Sequence, residues 1–309
     1  MTRSNPPQAR PGTGAIMQRD SLLALAFIAP AVLLVAVLMY YPMIRAFIES
    51  LYETSFLSQN PKFIGLLNYQ NMLKDRNFWQ VVKNSLTWTI GVVALQNLIG
   101  MGVAVLLNQN IPLRGLTRTV VLLPWVLPGI VAAILWRFMY DPQLGLINSL
   151  FLSSGLIQKS IPWLANPDTA MYAVIIAAIW KGYPFSAIIY LAALQIIDQE
   201  QLEAAEIDGA NAWQRFRHVS IPSIAHIILL NLLLTTIFTF NYFDMVWVTT
   251  KGGPLNRTHI FPTAIFDLGF GQFRFGEAAA YGVVAVLLLA GLAFLYIRQL
   301  QPGRGAERS

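Results

Sequence analysis

Long apolar stretches alternate with short polar ones along the whole chain. Six charge-poor runs lie near Ser21–Ile44, Asn84–Leu107, Thr119–Tyr140, Thr169–Ile197, Ser223–Val248 and Ala278–Ile297. Each approaches the roughly 20 residues a helix needs to cross hydrocarbon. The pattern predicts an all-α integral membrane protein of about six transmembrane helices, residues 21–297, between an aperiodic Pro/Arg-rich tail at 1–20, expected to be disordered, and a short tail at 298–309. The first run is too long for a signal-peptide core and no small-x-small cleavage site follows it, so it is expected to remain as the first span. Pro124 and Pro128 fall in the third run and predict a kink, with freed carbonyls that neighbours must satisfy.

The longest polar gap, between the fourth and fifth runs, predicts two short helices around a glycine. Asp198 can cap the first, with Gln201 three residues on in the position that reaches back. Glu203-Ala204-Ala205-Glu206-Ile207-Asp208-Gly209-Ala210 follows. Gly209 can adopt the positive φ that ends a helix, and the second helix puts Trp213 and Phe216 on one face. A compact, acidic, helical knob on a membrane protein's loop is suited to docking.

Composition sharpens the class. Of 309 residues 56% are hydrophobic and 12% charged, and mean hydropathy is +0.54, whereas soluble domains carry about a quarter charged residues. The net charge of +6 is scattered over tails and loops without a dense patch, so nucleic acid is not an expected partner. No cysteine occurs, which removes disulfides and thiolate metal sites. His218, His226 and His259 have no ligand spacing, so no metal site is expected. A phosphate-cradling loop needs a Gly-Lys pair, and none exists in the chain. Neither an acid pair nor a catalytic triad is recognisable, so an enzyme is not expected.

The gap sequence resembles the EAA loop of binding-protein-dependent ABC importers: Glu203-Ala204-Ala205, then Asp208-Gly209-Ala210, then Ile221-Pro222 opening the next span. In that family this loop, between spans four and five, fits a cleft on a cytosolic ATPase. Phe63-Ile64-Gly65-Leu66-Leu67-Asn68-Tyr69, expected beside an interfacial helix, and Asp141-Pro142-Gln143-Leu144-Gly145-Leu146-Ile147-Asn148 resemble phrases of sugar permeases of the maltose-importer type. Phe240-Asn241-Tyr242-Phe243 followed by Gly252-Gly253-Pro254 is similar to the larger maltose permease, in a short six-span version without that type's extra N-terminal spans and large periplasmic insert. The resemblance implies a second homologous permease, an ATPase dimer that binds the ATP and Mg, an extracytoplasmic sugar-binding protein, lipid contact in the bacterial cytoplasmic membrane, and both termini in the cytosol. No cofactor is expected in this chain.

Polar groups inside spans are costly and point to function. Asn241 and Asp244 are three apart, hence on one helical face if the helix continues. With Tyr242 and Trp247 beside them they offer donors, acceptors and aromatic planes suited to a sugar. The resemblance places the family's sugar-contacting asparagine region at Asn241. Lys181, in Trp180-Lys181-Gly182-Tyr183-Pro184-Phe185, sits where glycine and proline predict a broken helix bordering the pathway. Snorkelling or pairing with Asp244 is its plainer role. Tyr183 and Tyr281 complete the candidate pathway set, although the small neighbours of Tyr281 equally suit helix packing. A secondary transporter is the rival reading, but it needs broken helices at corresponding positions of two repeats, and a membrane-embedded enzyme is the other.

Overall fold

The computed structural model describes residues 25, 27–55, 60–109 and 113–300. The tail at 1–20, the start of the first run, and residues 301–309 of the C-terminal tail lie outside them. Five helices are long and apolar enough to span a membrane, and a sixth span is a bent pair. They are α1 (Phe27–Glu49), α3 (Arg76–Asn108), the pair α4 (Arg114–Val126) and α5 (Gly129–Met139), α7 (Ala170–Gln195), the segment Ala225–Thr250, and α13 (Phe275–Leu300). Between them lie α2 (Leu67–Lys74), α6 (Leu146–Ser153), α8 (Gln199–Ile207) and α9 (Ala212–Arg215). The fifth span comprises α10 (Ala225–Phe240) and α11 (Phe243–Thr250), and α12 (Phe261–Phe266) follows it. A two-residue hairpin pairs Tyr52–Glu53 with Lys62–Phe63.

α3 is the organising element. Asp75 caps it by accepting from the Asn77 amide at 2.9 Å. Its length of about 50 Å exceeds the hydrocarbon thickness, so its first turns project toward the loops. α3 runs parallel to α7, and glycines let the two approach. A Cβ on Gly100 would stand 2.6 Å from Ser186 Cβ, and one on Gly182 would stand 2.1 Å from Gln96 Oε1. Small residues at such crossings let backbones meet in lipid. Beside them Asn97 gathers Tyr190, Asn231 and Thr235 into one buried hydrogen-bonded cluster.

At one end of the bundle α3 also fixes the chain around α12. Asn84 Nδ2 donates to the carbonyls of Asn256 and His259, both at 2.9 Å, and Ser85 Oγ accepts from the Phe261 amide. That end is filled by aromatic and aliphatic groups, among them Trp88, Tyr140, Met245, Phe78 and Phe261. Leu107, Tyr190, Leu194, Ile197 and Ile224 fill the opposite end. α1 packs on α13 and buries none of its apolar side chains, as lipid-facing helices can.

Two expectations about broken helices change places. α7 is continuous through Gly182 and Pro184; Gly182 is the seat for Gln96 rather than a break. The fifth span does break, because Tyr242 leaves the helix at φ −78°, ψ 86°. The Trp88 indole supports that break by donating at 2.8 Å to the Thr239 carbonyl, which also accepts from the Tyr242 amide at 3.1 Å in place of the Phe243 amide that a continuing helix would supply. The proline kink of the third span is realised as a 92° bend between Val126 and Gly129.

Candidate functional site: a cavity at the broken spans and an ordered loop

The two breaks border one cavity of about 450 Å³. α3 contributes Val92 and Gln96, α4 Trp125, and α5 its first residue, Gly129. α7 adds Lys181 and Phe185, α10 adds Thr235, Phe238 and Thr239, and the second break adds Tyr242 and Asp244. Phe185 stacks on Trp125 at 5.9 Å and meets Phe238 edge-on at 6.1 Å, forming an aromatic wall. The same lining carries donors and acceptors: the Gln96 amide, the Thr239 hydroxyl, an ammonium and a carboxylate, while the Thr235 hydroxyl is taken up by the Asn97 cluster. The Lys181 ammonium donates to the Trp125 carbonyl at 3.4 Å. The buried Tyr242 hydroxyl has no hydrogen-bond partner among the described residues.

Of the candidate pathway residues, Lys181, Tyr242 and Asp244 meet here. Asn241 does not join them. It ends α10 and folds its Nδ2 back onto the Ile237 carbonyl at 2.9 Å; because the helix stops there, the shared face with Asp244 does not exist. Trp247 packs between Phe243 and Phe266. Tyr183 is half-buried and outside the cavity wall. Tyr281 is buried edge-on against Phe78 and borders a separate pocket of about 90 Å³ with Asp75 and His259. Sequence reading missed Gln96, Trp125, Phe185 and Phe238. Gln96 carried a usable signal, an amide inside an otherwise apolar run.

The polar gap is an ordered knob. Gly209 has φ +83°, and the Gly209 and Ala210 amides donate to the carbonyls of Glu206 and Ala205 at 3.0 and 2.9 Å. That is the double hydrogen bond of a glycine helix end. Asp198 does cap α8, through the Glu200 amide at 3.0 Å. The reciprocal capping box is instead at α9, where Asn211 and Gln214 each accept from the other's backbone amide. Arg215 ties the two helices together through Glu206 at 3.4 Å and the Ala210 carbonyl at 3.1 Å. Glu203, Ala204, Asp208 and Gly209 are exposed, and Ala205 and Ala210 half-buried. The Trp213 ring, 65% exposed, lies 5.7 Å from that of Phe216. Leu202 packs onto the ends of the spans, so the knob is anchored to the bundle.

Broken spans beside a cavity of aromatic and polar lining, with an ordered helical knob outside the bundle, suit a transport permease. The chain belongs to the family of binding-protein-dependent transport system inner membrane components, whose model matches residues 96–304; it is thus an ABC importer permease. It is 32% identical over 290 residues to the trehalose/maltose transport system permease protein MalF of Thermococcus litoralis, covering 93% of this chain and 96% of that one. It is 36% identical over 274 residues to the lactose transport system permease protein LacF of Rhizobium radiobacter, covering 87% and 91%. Its fold is that of a chain in a bacterial ABC transporter involved in import of the acidic polysaccharide alginate, with TM-score 0.80 and 22% identity over 93% of this chain and 97% of that one.

Proposed function

We propose that this permease carries a sugar, or a related glycoside or polyol, through the bacterial cytoplasmic membrane. One observation supports the reading above others: the cavity combines an aromatic wall of Trp125, Phe185 and Phe238 with the polar groups of Gln96, Thr239 and Asp244. Sugar rings pack their C–H faces on aromatic planes while their hydroxyls need donors and acceptors, which is the balance such a pocket supplies. The relatives named for trehalose/maltose and lactose agree with it.

In this reading a second homologous permease completes the path and an extracytoplasmic binding protein delivers the substrate. A cytosolic ATPase dimer, which holds the ATP and Mg, docks on the knob through Glu203, Ala204, Ala205, Asp208, Gly209, Ala210, Trp213 and Phe216. Both termini are then cytosolic. Closure of the ATPase moves a knob already stiffened by Arg215 and Gly209, and the packed helices switch between two arrangements rather than bending continuously.

The test is uptake of labelled trehalose, maltose and lactose into proteoliposomes holding the chain with its partner subunits. ATP-dependent accumulation of at least one sugar, lost when the binding protein is omitted, is expected. Uptake driven by an ion gradient without ATP contradicts the reading in favour of a secondary transporter.

A further inference from the structure

Opposite charges from two other helices flank the bend in the third span. Between Val126 and Gly129 the axes of α4 and α5 turn by 92°. Pro128 has no N–H for the carbonyl four residues back, and the last carbonyls of α4 lose their helical partners. Lys181, from α7, reaches one of these, the Trp125 carbonyl, at 3.4 Å. Across the bend, the Asp244 carboxylate lies against the first residue of α5. A Cβ on Gly129 would stand 3.0 Å from Asp244 Oδ2 and 3.6 Å from its Cβ.

A cation therefore sits at the carbonyl end of one helix and an anion at the amide end of the next, each with the favourable sign for the helix dipole. The two charges share one cavity wall without pairing; the ion pairs among the described residues are Arg215–Glu206 and Arg274–Glu277. The residue whose carbonyl Lys181 holds, Trp125, puts its ring onto Phe185 in the aromatic wall.

We propose that Lys181 and Asp244 are positioning residues for transport: together they hold the bend of the third span, and so keep Trp125 in the wall of the cavity. This rests on the cavity being the substrate path, but the bend itself is measurable without substrate. An ordinary ion pair survives exchange of its charges. Dipole capping does not, because exchange puts each charge at the wrong helix end.

The chain has no cysteine, so labels can be placed without background. Leu116 and Phe138, 61% and 72% exposed, stand near the far ends of the two helices. At 1.5 Å per residue their separation is about 23 Å across a right-angle bend and about 33 Å along a straight helix. Nitroxides on Leu116→Cys/Phe138→Cys are read by pulsed dipolar spectroscopy on the full-length chain in lipid nanodiscs. Lys181→Met and Asp244→Asn are each expected to move the distribution several ångströms toward the longer distance, while Lys181→Arg keeps the short one. The exchange Lys181→Asp/Asp244→Lys should stay long. Lys181→Gln and Asp244→Ser serve as second variants should the first not be recovered as folded, monodisperse protein. An unchanged distribution in the neutralised variants overturns the proposal, as does recovery by the exchange. A shifted distribution supports it even if the wild type transports no sugar, in which case the reading of the cavity fails alone.

Discussion

Asn231 Nδ2 donates to Asn97 Oδ1 at 2.7 Å, joining two spans that lie 134 residues apart in the chain. Both side chains are buried, and Tyr190 donates to the same oxygen. Asn97→Leu leaves several polar groups facing hydrocarbon at once. Side-chain hydrogen bonds in membranes average about 0.6 kcal/mol, and a stranded buried group costs about 1–3 kcal/mol. The variant is therefore expected to lose about 1–3 kcal/mol and to melt at least several degrees lower in detergent. An unchanged melting temperature means that the cluster does not hold α3 to α10.

Two glycines on the α3–α7 crossing are expected to respond differently to the same methyl group. At Gly100 a Cβ meets the Ser186 Cβ at 2.6 Å and the Ala187 backbone at 3.0 Å, neither of which can move without the helix. Gly100→Ala should cost about 1–3 kcal/mol as overpacking. At Gly182 the Cβ meets the far end of Gln96, which can swing into the cavity. Gly182→Ala should keep thermal stability within about 1 kcal/mol of the wild type while lowering uptake. Equal losses of stability in the two variants would contradict this geometry.

Much of this was legible in the sequence for identifiable reasons. The span pattern was readable because hydrocarbon thickness sets helix length. Pro124 and Pro128 announced the bend because proline removes a donor, and Gly209 announced a positive φ that few other residues adopt. The break after Asn241 was not legible: Phe240-Asn241-Tyr242-Phe243 contains neither glycine nor proline, and a distant indole, Trp88, holds it. Gly182 and Pro184 gave the opposite error, since packing against Gln96 demands a glycine as much as a break does. Short α12, buried between α3 and α13, escaped because its burial is set by Asn84 and Ser85 far away in sequence. The spacing Asn211…Gln214 carries the same capping signal as Asp198…Gln201, and only the hydrogen bonds tell the reciprocal pair from the single cap.

His259 gives the loop before α12 a pH dependence. Burial holds the imidazole below its ordinary value of 6.5, with Asp267 opposing the shift, and the ring lies against Gly252 beside Thr263. A depressed pKa means that the folded loop binds fewer protons than the unfolded one. Its stability is thus complete above about pH 6.5 and falls as pH drops through and below that value. Hydrogen exchange of residues 252–263, corrected for intrinsic rates, should be faster at pH 5.5 than at pH 7.5. In His259→Asn that difference should vanish.

Trp213 tests the knob as a docking element. Its ring is 65% exposed, so Trp213→Ala should leave the melting temperature of the isolated chain unchanged. Aromatic anchors at interfaces carry about 2 kcal/mol or more each, so ATPase retention during purification should fall by tenfold or more. Full retention would remove Trp213 from the interface.

The most direct test of the account uses Gly209. Among the described residues a Cβ there meets nothing within 4 Å, so Gly209→Val places its first side-chain atom in open space. Its effect comes from the left-handed backbone, φ +83°, which costs a branched residue about 1–2 kcal/mol and redirects α9. Uptake and ATP hydrolysis are measured together in proteoliposomes that hold the chain, its partner subunits and the binding protein. The variant is expected to assemble and hydrolyse ATP with little or no sugar uptake. If Gly209→Val moves sugar at the wild-type ratio of transport to ATP, the knob is not what couples hydrolysis to this permease.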